Sequence, residues 1–358
     1  MKSININGRI IGPGQPTYIV AEMSGNHNQD YKRAVRIIEA AKQAGADAVK
    51  LQTYTPNTIT ADCDSEYFRL QGTLWDGRRL YDLYGEACTP WEWHQGLKDV
   101  AEGLGLDFFS SPFDATAVDF LEQLNVPVYK VASSELVDIP LLRKIAQCRK
   151  PVILSTGMAT LGEIEEAMSA LRQFSGEAQV ALLKCSSTYP AQAEDMNLLT
   201  IPNLSDVFSV PVGLSDHTMG IEVSLAAVAL GACIIEKHLT LSRSEGGPDA
   251  AFSLEPEEFH GMVKAVRVVG KALGGVKYGF SERERISRRY RRSLFVVEDV
   301  RAGEAFTLKN IRSIRPGDGL HPRYLDEVMG RTARCDLGKG TPLSWEIIEL
   351  PRADTAKG

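Results

Sequence analysis

Residues 212–238, VGLSDHTMGIEVSLAAVALGACIIEKH, contain a complete strand–helix–strand pattern. Two short apolar runs, Val212–His217 and Ala232–His238, enclose the candidate helix Ile221–Leu230. Each run is nearly continuous in apolar character and ends in polar residues, as is typical of buried parallel strands. This stretch therefore predicts one unit of an alternating β/α fold.

The same pattern recurs along the chain, because further apolar runs with polar ends alternate with amphipathic segments. Eight strands alternating with helices predict a TIM (β/α)8 barrel, whose active site is built where the strands end. The other runs are Tyr18–Glu22, Ala48–Gln52, Leu106–Ser111, Val128–Ser133, Val152–Thr156 and Val180–Cys185. The other predicted helices are Asp30–Ala44, Trp91–Gly103, Ala115–Leu124, Pro140–Gln147, Leu161–Phe174 and Pro256–Leu273.

The predicted barrel domain spans residues 1–280 and is followed by a smaller domain. It starts with a hairpin in residues 1–16, where Asn7-Gly8 is a strong turn signal. A charged linker, residues 281–292, contains the whole basic run RERISRRYRR (283–292). The C-terminal domain, residues 293–358, reads as a set of short strands and has too few residues for a large core of its own.

The connection Thr53–Pro90 is unusually long for a loop and is rich in aromatic residues. Loops of that length tend to be functional or disordered, and the aromatic content argues against disorder. Two interpretations remain open: a lid or sugar-facing wall over the site, or a packed excursion across the barrel rim.

The composition is ordinary for a globular protein, with 358 residues and 44% hydrophobic residues. The net charge of −6 argues against a nucleic-acid partner. No apolar stretch is long enough to cross a bilayer and the start lacks a signal-peptide core, so we expect no membrane association. The 6 cysteines show no CxxC spacing, which favours reduced thiols and a cytoplasmic location.

Groups that bind anions follow several of the predicted strands. Two lysines, Lys50 and Lys130, are expected to share one mouth of the barrel with serine hydroxyls. Lysines together with hydroxyls and backbone amides make a site for a phosphorylated, multiply charged anion. The serines at these strand ends are Ser111, Ser133, Ser155 and Ser215.

Two histidines end the last two predicted strands, which are neighbours in a closed barrel. His217 and His238 therefore suit a divalent transition metal such as Mn²⁺, Co²⁺ or Zn²⁺. With no HExxH motif and no local third ligand, such an ion would keep positions open for water or substrate. His94 and His260 are expected on helix surfaces.

Carboxylates complete the candidate site. Glu22 ends the first strand, where it could orient a hydroxyl, act as a base, ligate the metal or form a rim salt bridge. Glu135 is a second candidate of the same kind. Asp249 follows two glycines and a proline, which predicts a loop position over the mouth.

Taken together, these segments resemble the sialic acid synthase family, which are phosphoenolpyruvate-condensing barrels with a C-terminal antifreeze-like (SAF) domain. The resemblance covers nearly the whole chain in order. The matching segments are AEMSGNH (21–27), GADAVKLQTY (45–54), FFSSPF (108–113), VYKVASSE (128–135), ILSTGM (153–158), LLKCSSTYP (182–190), GLSDHT (213–218), IIEKHLT (234–240), RSIRPGDGL (312–320) and GTPLSWE (340–346).

The resemblance implies condensation of phosphoenolpyruvate with an open-chain acetamido-deoxyhexose and water. The residues implied to be catalytic are Glu22, Lys50, Lys130, His217 and His238. Those implied to hold phosphoenolpyruvate are Lys50, Ser111, Lys130, Ser133, Ser155, Ser187 and Ser215. Those implied to contact the sugar are Glu22, Gln52, Glu135, Tyr189, Asp249 and Arg315.

The resemblance also implies a metal and a partner. His217 and His238 would hold Mn²⁺, with Mg²⁺ or Co²⁺ as alternatives. Arg315, in the small domain, would reach the sugar end of the partner's barrel in a domain-swapped homodimer.

Alternatives remain at two levels. GTLWDGRRLYDLY (72–84) and TPWEWH (89–94) resemble the branch that uses the altro-configured 2,4-diacetamido-2,4,6-trideoxyhexose, whereas N-acetylneuraminate or legionaminate synthesis are the other options. A metal-dependent aldolase or isomerase would need no phosphoenolpyruvate, and the strand-end anion contacts argue against it. A carbohydrate-binding or structural protein would have little use for the complete set of two lysines and two histidines.

Overall fold

The computed structural model describes residues 3–173 and 179–349. The chain divides into two compact units, Met1–Gly274 and Gly275–Gly358. The predicted linker, residues 281–292, falls inside the second unit. Within the described residues, no helix is long and apolar enough to span a membrane.

A β-hairpin precedes the barrel, as the sequence predicts. Asn7 and Gly8 at its turn have φ of 48° and 83°, the left-handed region that a two-residue hairpin turn requires. The Asn7 Nδ2 group donates to Asp107 Oδ1 (2.6 Å), and the Asn5 N–H donates to Gln179 Oε1 (2.6 Å). Both acceptors lie where barrel strands begin, so the hairpin covers the end of the barrel opposite the strand ends. Its strands are β1 (Ile4–Ile6) and β2 (Arg9–Ile11).

Eight parallel strands form a closed barrel in chain order, which confirms the predicted TIM barrel. The last strand pairs with the first, with His238 opposite Glu22, and this pairing removes any free sheet edge. Two strands match the predicted runs at both ends. The eight are β3 (Tyr18–Glu22), β4 (Ala48–Thr53), β5 (Asp107–Pro112), β6 (Tyr129–Val131), β7 (Val152–Ser155), β8 (Val180–Cys185), β9 (Val212–Asp216) and β10 (Ile234–His238).

Helices follow the strands, and most of them bury one apolar face, whereas the short α2 has no buried residue. Asp30 caps the first of them by accepting from the Lys32 N–H, and Thr160 and Glu163 form a reciprocal capping box on the seventh. Phe174, the predicted end of that helix, lies outside the described residues. The helices are α1 (Tyr31–Ala44), α2 (Pro56–Ile59), α3 (Leu80–Ala87), α4 (His94–Gly103), α5 (Ala115–Gln123), α6 (Ile139–Gln147), α7 (Leu161–Arg172), α8 (Thr200–Phe208), α9 (Glu222–Ala229) and α10 (Pro256–Leu273).

Helix α8 is absent from the sequence-based prediction. Its apolar face is regular, because Ile201, Leu204 and Phe208 are all buried. Pro202 obscured that pattern, although proline is tolerated in the first turn of a helix, where its missing N–H would lack a helical partner anyway.

The second unit has a small core of its own, made by residues that include Leu294, Phe306 and Leu343. Its two strands pair antiparallel, and isolated bridges extend the β structure, in agreement with the predicted small β-rich domain. Its elements are α11 (Glu284–Arg288), β11 (Ser293–Val296), β12 (Ile311–Ile314) and α12 (Leu325–Val328).

Candidate active site

Two buried lysines lie inside the barrel at the strand ends. The side chains of Lys50 and Lys130 are only 4% and 2% exposed. Lys50 Nζ lies 2.6 Å from a Glu22 carboxylate oxygen and donates to Ser111 Oγ at 3.3 Å. Lys130 Nζ donates to Ser155 Oγ at 2.7 Å. The structure thus brings together groups that the sequence places on five separate strands or strand ends.

A buried carboxylate, Glu236 on β10, lies between these lysines. One of its oxygens is 3.8 Å from both Lys50 Nζ and Lys130 Nζ and accepts a hydrogen bond from Ser215 Oγ at 3.1 Å. The sequence-based prediction does not include Glu236, although it lies two residues before the end of its run, as Lys50 does. The two-residue repeat of a strand places Glu236 on the same face as His238 and could have indicated it as a site residue.

The two carboxyl groups of this cluster differ in their protonation. Burial raises the pKa of Glu236, but Lys130 and Lys50 outweigh it and the net shift is downward. Burial also raises the pKa of Glu22, and there the net shift stays upward despite Lys50. Glu236 is therefore the firm negative charge of the cluster, and Glu22 is the carboxyl that accepts a proton more readily.

The lysines also respond differently to burial. Burial lowers the pKa of Lys50, but Glu22 and Glu236 outweigh the effect of burial, and the net shift of the pKa is upward. For Lys130, burial dominates and the pKa falls, although Glu236 opposes the fall. The positive charge on Lys130 therefore depends on its carboxylate neighbour.

Two serine hydroxyls meet at Gly157, just beyond β7. The Gly157 N–H donates to Ser133 Oγ at 3.1 Å. A β carbon at position 157 would lie 2.3 Å from Ser187 Oγ and 2.6 Å from Ser133 Oγ, so only glycine allows this approach. The Ser187 hydroxyl oxygen is buried without a partner in the described part of the chain. This arrangement fits a contact to an anion oxygen.

His217 and His238 lie side by side at the mouth, with ring centroids 5.4 Å apart. His217 Nδ1 donates to the Ser186 carbonyl at 2.8 Å, which leaves Nε2 as the acceptor nitrogen. Burial holds the pKa of His238 well below its usual value, so its imidazole is neutral, and its Nδ1 has no partner among the described atoms. Burial lowers the pKa of His217, but Cys185 outweighs this effect and the net shift of the pKa is upward.

These observations test whether the histidines could hold a divalent ion. Two imidazoles with available nitrogen atoms fit such an ion. Over residues 3–173 and 179–349, no group of three or more His, Cys, Asp or Glu side chains is arranged to hold a metal. The protein itself therefore offers two ligands, and the remaining positions would belong to water or substrate.

The histidine-bearing strands share a fully buried ion pair. Lys237 Nζ lies 2.8 Å from Asp216 Oδ2, and neither side chain is exposed. Asp216 also accepts from Ser224 Oγ (2.6 Å) and from the Thr218 N–H (2.9 Å), and Lys237 donates to the Thr218 carbonyl (2.7 Å). Because Asp216 and Thr218 flank the first histidine and Lys237 precedes the second, these contacts fix the backbone at both.

A polar chain of hydrogen bonds extends from Glu22 to the loop after β10. Gln52 Nε2 donates to Glu22 Oε1 and to Ser24 Oγ, both at 3.0 Å. Ser24 Oγ in turn donates to Asp249, which also accepts from the Gly25 N–H at 3.1 Å. Burial raises the pKa of Asp249. Asp249 therefore lies at the mouth on a loop, where the glycines and proline before it predict it.

Aromatic rings cover the histidines. The Tyr189 ring lies 4.4 Å from that of His217, and Phe252 lies 4.9 Å from His238. Trp75 packs on Tyr189 at 5.8 Å and donates its indole N–H to the Pro248 carbonyl at 2.9 Å. The long connection after β4 therefore reaches the candidate site, and Trp75 is one of its contacts there.

Two predicted sugar contacts have separate positions. Glu135 is half-buried after β6, and burial raises its pKa to about 7. Arg315 follows β12 in the second unit, where it lines a cavity of about 640 Å³ together with Arg291, Arg292 and His321.

The prediction that His94 lies on a helix surface is wrong. Its side chain is fully buried, with Nε2 2.8 Å from Thr53 Oγ1. His94 begins α4, and this position faces strand β4, which carries Thr53, rather than solvent. His260 is exposed, as predicted.

Known proteins resemble this chain over most of its length. The sequence model of the NeuB family matches residues 37–278, and that of the SAF domain matches residues 291–349. A pseudaminic acid synthase of Helicobacter pylori is 46% identical, covering 94% of this chain and 98% of the relative. A pseudaminic acid synthase of Campylobacter jejuni is 44% identical, covering 91% and 95%.

A solved structure agrees with the sequence relatives. The N-acetylneuraminic acid synthetase of Leptospira borgpetersenii, in complex with citrate, superposes with a TM-score of 0.72 at 32% sequence identity. The match covers 80% of this chain and 95% of that one.

Proposed function

The chain belongs to the NeuB family, and from that premise we propose that it is a pseudaminic acid synthase. It condenses phosphoenolpyruvate with 2,4-diacetamido-2,4,6-trideoxy-altropyranose and water, and it releases pseudaminic acid and phosphate. The observation that carries the proposal is the pair of buried lysines around Glu236, beside two neighbouring histidines. Two full-length relatives named for this activity support the choice of acceptor sugar.

Phosphoenolpyruvate would bind at the lysine cluster. Its phosphate and carboxylate would replace part of the negative charge that Glu22 and Glu236 now supply to Lys50 and Lys130. Because Glu22 has the raised pKa, it can take up a proton as the substrate's charge arrives. The serine hydroxyls at the strand ends would donate to the remaining anion oxygens. These are Ser111, Ser133, Ser155, Ser187 and Ser215.

The acceptor sugar would lie beside the two histidines. His217 and His238 would hold a divalent ion, Mn²⁺ by our proposal, and such an ion, when bound, polarises the aldehyde oxygen as a Lewis acid. Gln52 and Asp249 would bind hydroxyl or amide groups through the polar chain described above. Glu135 and Tyr189 would make further contacts to the sugar.

The bond changes balance without any further reactant. The methylene carbon of phosphoenolpyruvate forms a C–C bond to the aldehyde carbon, whose oxygen takes a proton. The oxygen of water adds to the neighbouring carbon of phosphoenolpyruvate, which bears the phosphate. The C–O bond from that carbon to phosphate then breaks, so that phosphate leaves with the electron pair and a ketone remains. The protein's contribution is to place the reactants together and to keep Lys50 and Lys130 against the anionic groups.

The proposal extends to the assembly and the compartment. We infer a homodimer in which Arg315 of one subunit serves the barrel of the other. The basic surroundings of Arg315 support a role in binding a polar or anionic group. A cytoplasmic location is supported by the cysteines, all of which are unpaired in the described residues.

Phosphate release from phosphoenolpyruvate in the presence of Mn²⁺ tests the proposal. The acceptors supplied in turn are the altro-configured diacetamido sugar, its manno-configured counterpart and N-acetylmannosamine. Release with the altro sugar alone is the expected result. Release with a different sugar would reassign the acceptor, and no release by folded protein with any of them would overturn the synthase assignment.

A further inference from the structure

The tryptophan at the mouth belongs to a loop that is shaped by its own hydrogen bonds. In residues 69–79, Arg69 and Arg79 form an antiparallel bridge. The Leu70 N–H donates to the Arg78 carbonyl at 2.9 Å, and the Gly77 N–H donates to the Leu70 carbonyl at 2.8 Å. Gly77 has a φ of 77°, which favours glycine at that turn. Trp75 lies at the tip of this loop.

Ion pairs attach the base of the loop to its neighbours. Arg69 pairs with Asp64 and Arg79 pairs with Asp62, while Arg78 lies 2.5 Å from Glu86. The base is thus tied down on both sides, and the tip is presented as a preformed unit. A preformed loop loses little conformational entropy when its tip contacts a ligand.

The tip adds a ring to an aromatic surface that is continuous with the histidines. Trp75 contacts Tyr189 at 5.8 Å and Phe252 at 6.4 Å, and these two rings lie against His217 and His238. We name the set of Trp75, Tyr189 and Phe252 the aromatic wall. Polar groups lie near the same mouth, among them the chain from Glu22 through Gln52 to Asp249.

We propose that the aromatic wall selects acceptor sugars by their methyl groups, and that Trp75 is the specificity-determining residue. The inference rests on the proposed function and names the part of the acceptor that this site reads. A methyl group placed on an aromatic ring leaves water favourably. A hydroxyl group in the same place would lose its hydrogen bonds to water without gaining a partner.

The proposed acceptor has methyl groups of two kinds: the C6 methyl of the deoxy sugar and the methyls of the two acetamido groups. A sugar with a hydroxyl at C6, or with formamido groups in place of acetamido groups, lacks one kind. Discrimination of a single methylene-sized group in an apolar pocket is about 10–200-fold in kcat/KM. For two acceptors that differ in one kind of methyl group, the aromatic wall should therefore give a ratio of kcat/KM values of that size.

Trp75 could instead serve only to anchor its loop through the indole hydrogen bond to Pro248. The variant Trp75→Phe keeps an aromatic face and removes that N–H, whereas Trp75→Ala removes both. Leu74→Ala is the matched control, because Leu74 neighbours Trp75 at the loop tip and is 49% exposed. Loss of anchoring should affect all acceptors alike, whereas loss of the wall should affect only acceptors that carry the methyl group.

The experiment measures kcat/KM from phosphate release for two matched pairs of acceptors. One pair is the diacetamido-trideoxy sugar and its 6-hydroxy analogue, and the other is the same sugar and its diformamido analogue. We expect Trp75→Ala to reduce the ratio within one pair by about 10–200-fold. Trp75→Phe should keep most of that ratio, and Leu74→Ala should leave it unchanged. The pair whose kcat/KM ratio changes identifies the methyl group that the aromatic wall recognises.

Equal losses for both members of both pairs would overturn the role of Trp75. Thermal stabilisation of Trp75→Ala by phosphoenolpyruvate, equal to that of the unmodified protein, would show that its barrel is intact. A failure of the unmodified protein to release phosphate with any acceptor would contradict the proposed function instead, so the two failures are distinguishable.

Discussion

At the scale of single residues, Glu236 controls the charge of the candidate site. It lies within 3.8 Å of both buried lysines and is the carboxylate with the lowered pKa. Both Lys50 and Lys130 owe part of their protonation to it. The anion-binding capacity of the site therefore depends on a negative charge, which at first sight should repel an anion.

Replacement of Glu236 by Gln tests this dependence. Without the carboxylate, the pKa of both lysines falls, because a nearby opposite charge favours the protonated form. The lysines then lose their protons at lower pH, so the alkaline limb of kcat/KM for phosphoenolpyruvate should also move to lower pH. The pH profile of phosphate release measures the shift.

Ser215→Ala is the control for this experiment, since it removes the hydrogen bond to Glu236 but leaves the charge in place. Its alkaline limb should stay where it is, even if its rate is lower. An unmoved limb in Glu236→Gln would show that the lysines keep their protons for another reason.

The sequence predicts some residues of the site better than others. Lys50, Lys130, His217 and His238 lie at the ends of their runs or within three residues of them, and in a barrel all strand ends meet at one mouth, so their proximity follows from the fold. Glu236 also lies near the end of its run, but nothing local separates it from a rim residue. Trp75 is remote in sequence from Tyr189 and Phe252, and only the folded loop brings them together.

At the scale of elements, the buried pair of Asp216 on β9 and Lys237 on β10 fixes the backbone position of the two histidines. Both residues are on the side of the strands that faces the helices, since Ser224 on α9 also binds Asp216. A buried ion pair adds little net stability over an apolar pair of the same shape, but the loss of one partner leaves an unpaired buried charge.

The variant Lys237→Met should therefore be destabilised by about 3–5 kcal/mol. The double variant Asp216→Leu with Lys237→Met should regain most of that stability, because no charge is left buried. Urea unfolding of the two variants measures the difference. Lys144→Met, which breaks an exposed pair with Asp119, should cost only about 0–1 kcal/mol. Equal costs for the single and double variants would contradict the interpretation.

The elements themselves could be predicted where their pattern was undisturbed. The barrel strands are nearly continuous apolar runs, and each was found from the sequence within a few residues. Helix α8 was missed because Pro202 interrupts its apolar pattern, and α2 and α3 were missed because the segment after β4 has no clean period. Leu83 of α3 and Ile201, Leu204 and Phe208 of α8 are buried, so tertiary packing supplies stability to these two helices that local sequence does not reveal.

At the scale of the whole molecule, the chain consists of two units with separate cores. The second unit has a small core, and we propose that it contributes Arg315 to a partner's site. Mixed dimers distinguish a contribution in trans from one within the same chain.

We expect His217→Ala to inactivate the barrel and Arg315→Ala to remove the proposed contribution of the second unit. Each variant alone should have little activity. If subunits complement each other in trans, a mixed dimer has one intact site, and co-refolding equal amounts should restore about a quarter of the unmodified activity. Phosphate release after mixing measures the recovery. No recovery, despite subunit exchange shown by differently tagged chains, would place Arg315 outside the partner's site.

The self-bonded loop of residues 69–79 has a consequence for how new enzymes can arise from this chain. Its internal hydrogen bonds allow this segment to be exchanged, lengthened or mutated while the barrel strands keep their register. Acceptor preference can then change through one segment, while the lysines and histidines proposed for the shared chemistry stay unchanged. Enzymes that descend from such a chain can therefore change their acceptor sugar while the barrel keeps its fold.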